Sequence, residues 1–137
     1  MPDAMPVAPV VPVVDDRDTG GFFEAAARGV LAIRRCTGCG AAVHVPVPAC
    51  PYCQCADGRW EPGGTTGTVY SWTVVEHQVH PAFPVPHTIL LVELDEAPGV
   101  RVVGHLPGRH APGVGHPVRV RFDRVDERVV LPQWDLA

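Results

Sequence analysis

Cys36-Thr37-Gly38-Cys39 and Cys50-Pro51-Tyr52-Cys53 are two C-x2-C pairs with ten residues between them. Two short knuckles of this kind bring four thiolates to the corners of a tetrahedron. That donor set suits a d10 zinc ion, because thiolates are soft and zinc imposes little angular preference of its own. With cysteine at all four corners no position is left open for water or substrate, so the metal is read as structural. Gly40 follows the first pair, where a glycine lets the backbone turn tightly and aim amide N–H groups at the sulfurs. Gln54 holds the equivalent place after the second pair, which makes that knuckle less ideal. Cys55 comes next and is the one competitor of Cys53 as a ligand. A disulfide framework is the rival reading, and it loses ground because nothing marks the chain for secretion. No cationic stretch is followed by an apolar core and a cleavage pattern, and no apolar run approaches the roughly 18 residues of a membrane span. A reducing cytoplasm, where thiols stay available to metal, is the expected location.

Outward from the knuckles the chain reads as strand, knuckle, strand, knuckle, the order of a zinc ribbon. Residues 31–35 alternate as a strand into the first pair, residues 41–47 return from it, and Arg59-Trp60-Glu61 leaves the second. A short helix over residues 15–28 precedes the ribbon. Asp18 or Thr19 is placed to cap it, Gly29 to end it, and Phe22, Phe23, Ala26 and Ala27 form its apolar stripe. Such a helix must dock on something to persist. Before it, prolines crowd the first fourteen residues and exclude a helix there, so residues 1–17 read as an extended arm or linker.

After the turn Pro62-Gly63-Gly64-Thr65 the pattern is β. The expected strands are residues 66–77, 87–93, 100–106, 118–125 and 128–131. Strict alternation in the first puts Val69, Ser71, Thr73 and Val75 on one face and Tyr70, Trp72 and Val74 on the other. Five strands of this length and spacing, with no long helix, fit a small closed barrel of OB type. The expected organisation is therefore mainly β: arm 1–17, helix and ribbon 18–62, barrel 63–137.

Composition narrows the function. Charged residues are 19% and hydrophobic ones 46%, so most of the chain has the means to fold. The net charge is −4, no basic run exceeds two residues, and aromatics are 7%. Ribbons and OB barrels both serve as single-strand nucleic-acid binders elsewhere, but that work needs a basic groove lined with stacking rings. The balance here speaks against nucleic acid. Every cation is arginine, a planar fork suited to phosphate and carboxylate. Catalysis finds little support. Ser71 lacks a nucleophile-elbow context, Cys55 sits beside the metal ligands, and His80 lies in a proline-rich loop, where histidines are usually solvated. A binding or assembly module is the better reading.

Several stretches together resemble a known family. They are the Phe22-Phe23-Glu24 helix, the two knuckles, Thr68-Val69-Tyr70-Ser71-Trp72-Thr73-Val74-Val75, His80-Pro81-Ala82-Phe83, Val92-Glu93-Leu94-Asp95-Glu96 and Val114-Gly115-His116-Pro117-Val118. In order and spacing they look like the domain-of-unknown-function-35 family. The resemblance implies a rubredoxin-like zinc ribbon joined to an OB-fold. It implies partnership with thiolases or thiolase-like lipid-transfer proteins, including aldolases that shorten steroid side chains as CoA thioesters. Some members of the family sit behind a hydratase domain, which the proline-rich start would suit. Gln54 and the extra Cys55 depart from the family pattern. An acyl-CoA channel is then expected at the seam of ribbon and barrel, with Arg34, Arg35, Trp60, His80 and Phe83 as candidate CoA contacts. The metal ligands are expected to be Cys36, Cys39, Cys50 and Cys53. A hetero-oligomer follows, with the chemistry carried by the partner.

Overall fold

The computed structural model describes residues 7–137. The first six residues of the expected arm lie outside the described residues, and the chain from Val7 to Thr19 is irregular and mostly exposed. Helix α1 covers Gly20–Ala27, shorter than residues 15–28. The difference lies in the cap. Neither Asp18 nor Thr19 caps with its side chain. Instead the Asp16 carboxylate accepts hydrogen bonds from the Asp18 and Thr19 amides at 3.0 and 3.1 Å, which closes a turn ahead of the helix. Those amides hold the Asp16 carboxyl below its usual value. Gly29, at φ 76°, ends the helix as expected. The indole of Trp60 occupies the space beside Gly21, where a β-carbon would fall 2.1 Å from its Nε1. Glycine there is what lets the helix dock on the ribbon.

The ribbon is a three-stranded antiparallel sheet. Strand β1 (Ala32–Cys36) lies between β2 (Ala42–Val43) and β3 (Gly58–Pro62). The return strand expected over residues 41–47 is only two residues long, since Pro46 and Pro48 carry no N–H for a ladder. Leu31 and Ile33 leave the metal end and enter the barrel core.

Five antiparallel strands follow: β4 (Thr66–Val75), β5 (His87–Leu94), β6 (Arg101–Pro107), β7 (Pro117–Arg124) and β8 (Val130–Leu136), in the order β6-β5-β4-β7-β8. This is the expected OB-type sheet. Its edges meet across Trp134, which is fully buried against Gly104; a β-carbon on Gly104 would fall 2.3 Å from the indole. The Gln133 side chain adds to the closure, its Oε1 accepting the His105 amide at 2.6 Å. The last strand runs later and longer than residues 128–131. Residues 126–129 form a turn instead, with the Asp126 carboxylate accepting the Arg128 and Val129 amides at 2.8 Å. Pro132 does not interrupt β8, because β8 is an edge strand and needs no donor there.

Strand β4 departs from strict alternation. Its register with β5 shifts between Val69 and Ser71, leaving Tyr70 as the bulged residue. Trp72 and Val74 then pair with Leu90 and Thr88, on the face that Val69 shares with Val92. Strand β7 pairs only with residues 66–68 of β4. From Ser71 onward β4 keeps β5 on one side and has no β7 partner on the other, which is why Tyr70 and Trp72 stay exposed.

Candidate metal centre and apolar pocket

The two knuckles are built alike. The Gly40 amide donates to the Cys36 carbonyl at 2.9 Å and the Gln54 amide to the Cys50 carbonyl at 2.8 Å. The Gly38 and Tyr52 amides point at the Cys36 and Cys50 sulfurs, at 3.3 and 3.4 Å. Gly40 and Gln54 both take left-handed backbone, at φ 78° and 66°. Glycine accepts this freely, whereas a side chain there costs about 1–2 kcal/mol.

The four Sγ atoms of Cys36, Cys39, Cys50 and Cys53 lie within 4.8 Å of one another, with Cys36–Cys53 at 3.5 Å and Cys39–Cys50 at 3.7 Å. A zinc–sulfur bond of about 2.3 Å implies tetrahedral edges of about 3.8 Å, so the donor set has the right size. No pair is joined as a disulfide. Its electrostatics ask for a cation. The Cys39 amide, followed by the Cys53 thiol and the Gly38 amide, brings Cys36 down to about 6. At Cys53 the Cys55 amide favours the thiolate, but the neighbouring Cys36, Cys39 and Cys50 sulfurs prevail and push it up to about 12. Four sulfurs this close cannot all ionise without a positive ion among them. Cys55 stands outside the group and bonds the Asp57 carbonyl instead. Gly38 lets it approach, since a β-carbon there would be 2.9 Å from the Cys55 β-carbon.

The residues expected at a CoA channel fall into two groups. On the ribbon, the Arg34 guanidinium lies 5.9 Å from the Trp60 ring centre and donates to the Ala56 carbonyl at 3.3 Å. Arg35 is tied to the Glu61 carboxylate and to the Gly40 carbonyl, and this pairing holds the Glu61 carboxyl below its usual value. In the loop before β5, His80 and Phe83 stack edge to face at 6.1 Å, and His80 Nδ1 accepts the Ala82 amide at 3.0 Å. Phe83 reaches a large cavity that none of the other four lines.

That cavity, of 480 Å³, lies where the helix, the ribbon's return loop and the outer face of β5 and β6 meet. Phe22 and Phe23 line it from the helix, and Ile89 and Val103 from β5 and β6. Val45 and Phe83 stand at the rim, both exposed. Its polar side chains, apart from Thr19, are His44, His87, His105 and Gln133. Burial lowers the pKa of His44, and its Nδ1 has no partner among the described residues. Burial, then the His87 and Arg121 charges, lowers that of His105. Sequence reading missed this pocket. The expected packing stripe holds for Phe22, which packs against the core, but both rings are only half-buried and also line the pocket, and the histidines had no common place in the sequence.

Comparison with known proteins agrees with both halves of the architecture. The family model described as "ChsH2, rubredoxin-like zinc ribbon domain" matches residues 23–57, and "ChsH2, C-terminal OB-fold domain" matches residues 60–123. A solved structure titled "Ltp2-ChsH2(DUF35) aldolase" is 35% identical over 91% of this chain and 98% of that chain, with a TM-score of 0.80. A protein of Thermomonospora curvata described as "Probable enoyl-CoA hydratase alpha subunit" is 40% identical over 120 residues, 85% of this chain. The chain spans 37% of that relative's length. No helix among the described residues is long and apolar enough to cross a membrane.

Proposed function

The chain belongs to the ChsH2 family, and from that premise we propose that it is the accessory subunit of a thiolase-like, lipid-transfer-protein-type aldolase acting on acyl-CoA thioesters. One observation carries the reading: at 35% identity the chain covers 98% of a solved chain from an Ltp2–ChsH2 aldolase. The partner performs the carbon–carbon cleavage, and this chain docks on it as part of a hetero-oligomer. Cys36, Cys39, Cys50 and Cys53 hold a structural zinc, supported by sulfur spacings of tetrahedral size. The ion ties the two knuckles of the ribbon to each other and leaves no open position for substrate. Unpaired thiols at that spacing accord with a reducing cytoplasm. Residues 1–17 serve as a linker, 18–62 as helix and ribbon, and 63–137 as the barrel.

The Phe83 loop supplies the docking anchor. Prolines stiffen it, so it loses little entropy on binding, and aromatic anchors dominate interface energies. Arg34 beside Trp60 suits the phosphate and adenine of CoA; Arg35, neutralised by Glu61, supports that surface from below. His80 positions Phe83 through their edge contact. Much of the remaining arginine charge is spent inside the chain, as in the Arg28–Glu24, Arg109–Glu76 and Arg121–Asp135 pairs, which accords with a partner other than nucleic acid. Co-expression with a thiolase-like protein encoded beside it, followed by affinity purification, tests the proposal: a stable complex of the two is expected, and recovery of the chain alone overturns it.

A further inference from the structure

The 480 Å³ pocket has an asymmetry that packing alone does not require. Its lining is mostly apolar, but besides His44, which lies against Phe22, it carries three adjoining polar side chains. The His87 and His105 rings lie 5.0 Å apart, centre to centre. Gln133 joins His105 through the 2.6 Å bond from the His105 amide. The chemistry of each group is set by its other contacts. His87 Nδ1 is 2.9 Å from the Pro84 carbonyl, so that nitrogen carries the proton and Nε2 is left as an acceptor. A backbone N–H can only donate, so the Gln133 atom facing it is oxygen, and the amide NH₂ is left as a donor. Neither His87 Nε2 nor Gln133 Nε2 has a hydrogen-bond partner among the described residues, neither is fully buried, and both residues line the pocket. Burial, first of all, lowers the pKa of His105 and favours its neutral form. The row thus offers an acceptor and a donor, and no net charge, in a mostly apolar slot.

A hydroxyl group answers both from a single atom: its proton goes to His87 and its lone pairs take the Gln133 amide. We propose that this pocket is a binding site for a neutral, largely apolar small molecule bearing one hydroxyl group, with Phe22, Phe23, Ile89 and Val103 holding its body and His87, His105 and Gln133 reading the hydroxyl. A pocket of this size lies within the range of small-molecule sites, which pair apolar walls with a few placed polar groups. The inference does not rest on the aldolase partnership, because binding is read on the lone chain.

The test uses the full chain with its metal and two fluorescent probes of nearly equal shape, 2-naphthol and 2-methylnaphthalene. Affinities come from fluorescence titration, and location from amide chemical-shift changes. The expected result is saturable binding of both, with 2-naphthol about tenfold tighter, the factor one net hydrogen bond supplies. Shifts should centre on Phe22, Phe23, Val103 and His105. His87→Phe should erase the tenfold preference and leave 2-methylnaphthalene unaffected. Val103→Trp, at a position 58% exposed and therefore safe for folding, should fill the slot and abolish binding of both probes. Equal affinities for the two probes, shifts elsewhere on the molecule, binding that survives Val103→Trp, or no saturable binding at all would overturn the proposal. The last result would leave the slot to a protein segment.

Discussion

In the barrel, twelve buried residues from Leu31 to Trp134 make one continuous apolar core, whereas the metal end of the ribbon buries only Cys36, Val43 and Cys50, with Cys55 packed against them. The barrel has the means to stand on hydrophobic burial; the ribbon has too little apolar area and depends on its ion. The seam shows how the two are joined. Leu31 and Ile33, just before and on the strand that ends at Cys36, belong to the barrel core, and the Gly63 amide bonds the Leu31 carbonyl at 2.8 Å. One strand thus begins in the hydrophobic regime and ends in the metal regime. The lesson is that losing the metal should melt the ribbon from its tip and stop where Ile33 is anchored.

The largest effect should come from the metal. Structural zinc contributes on the order of 10 kcal/mol to modules of this kind, so Cys39→Ser or chelation should disorder residues 36–57 while the barrel amides keep their protection from hydrogen exchange. Uniform loss of protection would erase the distinction between the two regions. Metal analysis of the parent chain should find one zinc per chain, and Cys55→Ser should leave that content unchanged.

The barrel has its own point of failure. Trp134→Ala empties the contact with Gly104 that joins the two sheet edges, and large-to-small changes of this sort cost about 3–5 kcal/mol. Chemical denaturation should show that loss, with zinc still bound in the native state. Smaller, and visible only in the complex, is Phe83→Ala. It should weaken partner binding by about 2 kcal/mol in a titration while the chain's own Tm stays put. The reverse pattern would place Phe83 in the fold and the docking surface elsewhere.

The smallest change compares the knuckles with each other. Gln54 takes the left-handed backbone that Gly40 takes freely, so Gln54→Gly should stabilise the ribbon by about 1 kcal/mol. A slower rate of zinc loss to a chelator is the readout. Gly40→Gln should do the opposite. The Asp16 turn adds a pH dependence. Its carboxyl is lowered in the folded state from 3.8, so its contribution is full above that value and fades as the pH falls through the lowered value. Asp16→Ala should remove that dependence, seen as a flatter Tm profile in acid.

The metal site was legible in the sequence because its information is local: two C-x2-C pairs specify their own turns, and even the weak point at Gln54 showed as the missing glycine. The strand order was legible too, since alternation and turn residues mark each strand separately. What escaped depends on contacts across the chain. The bulge at Tyr70 reverses the faces of Trp72 and Val74, and it is set by the register with β5, not by the residues of β4. The late helix start escaped because the Asp16 carboxylate draws the Asp18 and Thr19 amides into a turn, and the helix opens at Gly20 with no side-chain cap. The pocket escaped for the same reason: His87, His105 and Gln133 sit on three different strands, and only the closing of the sheet, which brings its edge strands β6 and β8 together, places them in one row.

The accessory-subunit account is tested most directly by reconstitution. The chain alone, a thiolase-like partner encoded beside it, and the two together are assayed for cleavage of an acyl-CoA aldol substrate under identical conditions. The account predicts that the lone chain releases no product and that the pair is active. Carbon–carbon cleavage by the isolated chain would contradict it.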